Sequence, residues 1–295
     1  MIGAILCSGR RADIIPKWRI KMTEENPLVK ILSDLNNKAY SRSMYFFSKD
    51  LTEALNLFLF TVDLATRVDK SVVIGSKALI SGSTGEDRER HLRNIEAIEK
   101  GGGAFGKLKE FNIINSRHLL TTSVEAFDCY LSHIIRCVLL KNPQMLRSSE
   151  KISIDELYDF KSKRELSHYI ADRKVSELSY SGIRGIEKYL KDVFGVDMFG
   201  NTDSKDLLIV FMELRNIHVH NRGFVNRLFL SKVKNHCGFK FEFDRRYVVY
   251  SDDLMRLMRN LIDVGLRIDR IISVKFHLDR KKGVNWKKSK PKYES

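Results

Sequence analysis

The sequence has little proline and little cysteine, four residues of each in 295. With 17 glycines and so little proline, collagen-like and Pro/Gly-rich disordered chains are excluded. The cysteines, Cys7, Cys129, Cys137 and Cys237, form no CxxC pair, so their spacing signals neither a disulfide framework nor a zinc knuckle. Cys129, His133 and Cys137 do fall at i, i+4 and i+8 of an expected helix. Residues eight apart, however, rise about 12 Å along a helix axis. The two thiols cannot share one ion, and buried thiols beside a helix-face histidine are expected, with no metal and no cofactor. Long apolar runs are missing too. Ala54 to Ala65 is the most apolar stretch, and it is short and contains Asp63. The apolar start, Met1 to Cys7, precedes Arg10 and Arg11, the reverse order of a secretory signal. A cytoplasmic protein with no membrane segment is expected.

What is abundant is positive charge. Lys and Arg number 52 against 37 Asp and Glu, a formal net charge of +15. Such an excess draws polyanions by long-range attraction and counterion release. Nucleic acid is therefore the leading partner class, ahead of an acidic protein or an anionic lipid surface. The excess is concentrated at the end of the chain. Over residues 275–295, Lys275, Arg280, Lys281, Lys282, Lys287, Lys288, Lys290 and Lys292 oppose only Asp279 and Glu294. This segment reads either as a solvated tail or as a sequence-blind grip on phosphates.

Helical periodicity dominates the chain. Leu51, Leu55, Phe58, Val62 and Ala65 keep helical spacing in a first helix over 41–67. The glycine-bearing stretch 70–86 is expected to be a connection, and a charged helix follows over 87–100. Gly101-Gly102-Gly103-Ala104-Phe105-Gly106 is the best candidate hinge or boundary. Leu119, Val124, Phe127, Leu131, Ile134, Val138 and Leu139 mark a second long helix over 108–142, which Pro143 stops. Two S-x-x-E capping boxes, Ser153 with Glu156 and Ser162 with Glu165, start helices near Ile154 and Lys163. Further helices are expected over 183–194, 204–221 and 252–274. The alternation Phe239-Lys240-Phe241-Glu242-Phe243, followed by Tyr247 to Tyr250, predicts a small β-hairpin. The expected architecture is mainly all-α. An N-terminal helical region (1–100) precedes a helical bundle (101–295) with a hairpin insertion and a basic tail (275–295).

Two motifs carry possible chemistry. Gly101-x-x-x-x-Gly106-Lys107-Leu108 nearly matches the phosphate-cradling loop GxxxxGK[ST]. Leu108 cannot offer a hydroxyl to Mg²⁺, and the preceding residues read as helix where a phosphate loop follows a strand. A nucleotide-dependent regulator using this loop would lose ATP or GTP binding on Lys107→Ala.

The second motif is Glu213-Leu214-Arg215-Asn216-Ile217-His218-Val219-His220-Asn221-Arg222-Gly223-Phe224-Val225-Asn226. Glu213, Asn216 and His220 fall on one stripe of a helix, with Arg215 roughly 140° round from His220. Two such helices facing each other could surround one phosphate with two arginines and two histidines. That inventory suits RNA cleavage without metal. Attack by the ribose 2′-OH needs a proton taken from the 2′-oxygen and one given to the leaving 5′-oxygen, tasks that suit histidine near neutral pH. Arginine can hold the phosphate oxygens in its planar fork as charge builds, and asparagine can orient the histidine or the phosphate. The alternative reading is a polar helix end, where histidine favours the dipole and Gly223 is an ordinary helix-terminating glycine.

The segment Arg215 to Val225 resembles the RNxxVHNxGxV signature of bacterial HEPN proteins, which occur among toxin–antitoxin and phage-defence ribonucleases. The resemblance extends over roughly 106–274. The helix bearing Ser123-Val124-Glu125-Ala126-Phe127 resembles the first long helix of the HEPN bundle, and 153–190 resembles its middle. It implies a compact α-helical bundle that dimerises, a composite cleft between two motif helices, and metal-independent endoribonuclease activity giving 2′,3′-cyclic phosphate and 5′-hydroxyl ends. Arg215, Asn216 and His220 take the catalytic positions, with Glu213, His218 and Asn221 in support and Arg222, Lys281, Lys282, Lys287 and Lys288 on RNA. The implied partners are RNA (transfer, messenger or ribosomal), a second copy, and an antitoxin or defence-system protein. Some HEPN toxins carry a modifiable tyrosine two residues after the motif histidine; here Arg222 stands there. The competing expectation is a non-catalytic HEPN-like module that binds RNA or protein.

Overall fold

The computed structural model describes residues 41–146 and 154–278. Its elements are α1 (Arg42–Ile80), α2 (Gly85–Glu99), α3 (Ala104–Glu110), α4 (Asn112–Lys141), a 3₁₀ turn (Pro143–Leu146), α5 (Ile154–Tyr158), α6 (Lys163–Asp192), α7 (Thr202–His220), α8 (Arg227–Lys232) and α9 (Ser251–Lys275). The fold is mainly all-α. Ser153 and the tail lysines Lys281, Lys282, Lys287 and Lys288 lie outside the described residues.

The described residues group into two compact units. One holds 52–120 and 248–255; the other holds 41–51, 121–146, 154–247 and 256–278. In the first, α1 continues to Ile80 through Gly75, where a connection from residue 70 was expected. One glycine weakens a helix by only about 1 kcal/mol, which a 39-residue helix can absorb. The chain reverses at Gly82, whose amide donates to the Leu79 carbonyl (3.1 Å). Asp69 of α1 caps α3: Oδ1 accepts from the Ala104 amide (2.6 Å) and Oδ2 from the Phe105 amide (2.9 Å). The glycine run is thus a turn between two helices. The amides that a phosphate would need are held by a carboxylate, and α2, a helix, precedes them. Both facts count against the nucleotide-loop reading.

The second unit is built around α4, α7 and α9. The sequence-marked positions Val124, Phe127, Leu131, Ile134, Val138 and Leu139 of α4 are buried. Phe47 at the start of α1 packs its ring 5.7 Å from Phe127 and 5.4 Å from Tyr130, and the Tyr130 hydroxyl donates to the Gly265 carbonyl of α9 (3.0 Å). Buried Asp269 is satisfied by the Ser41 amide (3.2 Å) and the Ser273 hydroxyl (3.5 Å), as a carboxylate away from water must be. The Ser162 box forms at the start of α6: its side chain accepts from the Glu165 amide (3.2 Å), while Glu165 reaches the Lys161 amide (3.0 Å). Gly182, with φ 67° and ψ −175°, kinks α6 where a second helix was expected to begin. Only glycine occupies that region at little cost.

The expected hairpin is not formed. Residues 239–243 and 247–250 have no strand structure, and a single bridge joins Phe224 to Arg246. The reason is local. The Phe241 ring gathers Phe229 (4.9 Å), Phe239 (5.9 Å), His236 (5.2 Å) and Tyr247 (4.9 Å) around it. These aromatics form a cluster over α8 instead of alternating across a ribbon.

Candidate functional site

Helix α7 positions the motif. Leu208, Ile209, Val210, Phe211 and Met212 are buried in succession, followed by Leu214, Ile217 and His218, so the middle of the helix is enclosed on all its faces. Its start is pinned. Asn201 accepts from the Ser204 amide (2.8 Å), the Ser204 hydroxyl donates to Asn260 Oδ1 (2.7 Å), and Asn260 Nδ2 returns a bond to the Ser204 carbonyl (2.8 Å). Lys205 adds an ion pair to Glu187 of α6 (2.7 Å). The last turn then emerges: Arg215 and Asn216 are half-buried, whereas Val219 and His220 are exposed.

The end of α7 is a tight reversal. The amides of Asn221 and Gly223 both donate to the Ile217 carbonyl (2.8 and 2.9 Å), and the Asn221 side chain donates to the Phe224 carbonyl (2.7 Å). Arg222 (φ 53°) and Gly223 (φ 86°) are consecutive left-handed residues, a conformation that glycine takes freely and arginine does not. The reversal is held from outside by residues 244–247. Val225 donates to the Arg245 carbonyl (3.0 Å), Asp244 to the Val225 carbonyl (2.9 Å) and Tyr247 to the Gly223 carbonyl (2.9 Å).

Each expected site residue can now be placed. Arg215 Nη1 donates to Asn216 Oδ1 (3.3 Å) and Nη2 to Glu125 Oε1 of α4 (3.5 Å). His220 stands in the exposed last turn. His218 is buried, with its ring under Gly223. Glu213 is turned away from Arg215 and pairs with Lys232 of α8 (3.1 Å), whose carbonyl accepts from Arg184 Nη2 of α6 (2.8 Å). Asn221 builds the reversal, and Arg222 is exposed on it. The structure therefore joins Arg215 with Asn216, puts His220 one turn further along, and gives Glu213 and Asn221 structural partners.

Two carboxylates escaped the sequence reading of the site. Glu125 and Asp128 are the only acidic residues of α4 and lie one turn apart. Burial, offset by Arg215 and reinforced by Glu125, pushes the Asp128 carboxyl up to about 6. The spacing i, i+3 on a helix with no other acid was visible; nothing in the sequence tied it to an arginine 90 positions away.

Elsewhere on α4, His133 Nδ1 meets the Ser43 hydroxyl at 2.7 Å, and burial lowers the His133 pKa and raises that of Cys137. Cys129 and His133 are exposed on α4 and Cys137 is only half-buried, so the buried thiols expected from the spacing are not found. No helix among the described residues is long and apolar enough to cross a membrane. The chain matches no protein-family model, no curated protein and no solved structure.

Proposed function

We propose that the chain is a metal-independent endoribonuclease that cleaves RNA by attack of the ribose 2′-OH on the adjacent phosphate. The observation that carries this reading is the way α7 delivers its motif. A helix buried through residues 208–212 brings a half-buried arginine, oriented by the neighbouring asparagine, to the surface beside an exposed histidine. In this reading Arg215 and Asn216 hold the phosphate oxygens while His220 moves the proton. The base takes the 2′-hydroxyl proton, the 2′-oxygen bonds to phosphorus, and the 5′-oxygen leaves with a proton from the acid. The products are a 2′,3′-cyclic phosphate and a 5′-hydroxyl.

Acid and base are two roles, and each chain has one exposed motif histidine. A homodimer that faces two α7 ends supplies the second His220 and a second Arg215, in a composite site. The net charge of +15 favours RNA as the substrate, with tRNA, mRNA and rRNA all open to such a site. The biological role is that of a toxin or anti-phage effector in the cytoplasm, held in check by an antitoxin or other defence-system protein.

The test is cleavage of a mixed RNA pool in EDTA by the wild type, His220→Ala and Arg215→Ala. Cyclic-phosphate ends made only by the wild type support the proposal. Equal cleavage by the variants overturns it. RNA binding without cleavage by any of them favours the non-catalytic RNA-binding module.

A further inference from the structure

We propose that α1 pairs, antiparallel, with α1 of a second copy of this chain through an apolar stripe that runs from Leu57 to Leu79. This interface is separate from the α7 pairing and uses none of its residues.

The stripe follows from helical geometry. At about 100° per residue, Leu57, Phe60, Leu64, Val68, Val72 and Leu79 fall within about 60° of one line along α1. Each is exposed, from 39% at Val72 to 56% at Leu57. Leu55 and Leu59, which are buried, lie about 160° round from Leu57. The interior therefore takes one face of α1 and leaves a second apolar face open. No Asp, Glu, Lys or Arg falls in that sector over 57–79. Arg67, at its margin, pairs with Asp63 at 2.7 Å, so two copies bring no net charge together there.

The surrounding segment has almost no core. From 60 to 115, Ser76 is the only buried residue among those described, and α2 buries none of its residues. Helices in proteins are held mainly by the packing of an apolar face. Six large side chains about half exposed offer roughly 600 Å², as large as the biggest apolar patch on a typical monomer. Two such faces bury about 1,200 Å² together, enough for a specific interface.

A second copy is the occupant because the stripe is complementary to itself. With a twofold axis at Val68, Leu57 stands opposite Leu79, Leu64 stands opposite Val72, and Val68 meets Val68. Gly75 then faces Thr61, beside Phe60. A β-carbon on Gly75 would meet nothing within 4 Å in the single chain, so packing within the chain does not call for a residue that weakens a helix interior. Across the pair, the missing side chain leaves room for the Phe60 ring.

The experiment uses the full chain with its four cysteines changed to serine and one new cysteine at a time. Val68→Cys is expected to form a disulfide-linked dimer under mild oxidation. Leu57→Cys and Leu79→Cys are expected to cross-link when mixed and not separately, because like positions lie about 33 Å apart along the pair. In the otherwise natural chain, Val68→Glu sets two carboxylates at the axis and Gly75→Leu fills the space for Phe60. Each is expected to weaken association at least about a hundredfold in sedimentation, with the wild-type helix content kept in circular dichroism. A wild-type mass that neither variant lowers overturns the proposal, as does Leu57→Cys cross-linking with itself. Vesicles of phosphatidylglycerol that bind the wild type but not Val68→Glu, with no cross-link at Val68→Cys, give the stripe to a lipid surface and overturn it too.

Discussion

Gly223 lies so close over the ring of His218 that a β-carbon there would stand 2.9 Å from Cε1 and 3.1 Å from Nδ1. The contact joins the last buried residue of α7 to the reversal that directly follows His220. Gly223→Ala is expected to lower stability by roughly 2–3 kcal/mol, from left-handed strain of about 1–2 kcal/mol plus displacement of the buried ring. Urea unfolding measures it, and a change below about 0.5 kcal/mol would show that the turn accepts a side chain.

His220 is exposed and holds no core volume, so His220→Ala is expected to leave stability within about 0.5 kcal/mol of the wild type. RNA cleavage is expected to drop by about a hundredfold or more, the usual contribution of a positioned proton-transfer group. Unfolding curves and cleavage rates on the same preparations check this. Unaltered cleavage would remove His220 from the mechanism.

Glu213 is expected to serve the fold rather than the chemistry. Glu213→Ala breaks its pair with Lys232 and loosens α8, at about 1 kcal/mol for an interaction that is only partly exposed. Cleavage per folded molecule, measured well below the transition, is expected to stay within about twofold of the wild type. A loss comparable to that of Arg215→Ala would return Glu213 to the site.

Asp128 makes stability depend on pH in the opposite sense to most acids. Its folded pKa, about 6, lies above the ordinary 3.8. Between those values the folded chain holds a proton that the unfolded chain releases, so stability falls as pH rises through the window. The penalty above the window is at most about 3 kcal/mol, at roughly 1.4 kcal/mol per unit. Asp128→Asn is therefore expected to melt higher than the wild type near neutral pH and to converge with it at about pH 4. Melting temperatures across that range decide it; a constant difference would show that the carboxyl does not titrate there.

The helices were legible where apolar spacing repeats over several turns. Val124, Phe127, Leu131, Ile134, Val138 and Leu139 gave α4 its buried face, and Ser162 with Glu165 marked the start of α6 at its true place. What failed was local chemistry overridden by packing. Gly75 suggested a break that the length of α1 absorbs, and the Phe239–Phe243 alternation suggested a strand where four rings surround Phe241. In the site, the run from Arg215 to Gly223 was readable because its residues are neighbours on one helix. Glu125 was not, because its ion pair with Arg215 across two helices leaves no periodic trace in either.

The burial of the middle of α7 on all its faces has an evolutionary consequence. A helix with water on one flank can drift there freely. Residues 208–217 have almost no such flank, so substitutions must conserve volume, and several would have to change together to alter the direction in which Arg215 and His220 leave the interior. Diversity is therefore pushed outward, to the last turn, the reversal and the aromatic cluster around Phe241. New specificities can arise there on a mount whose aim is inherited.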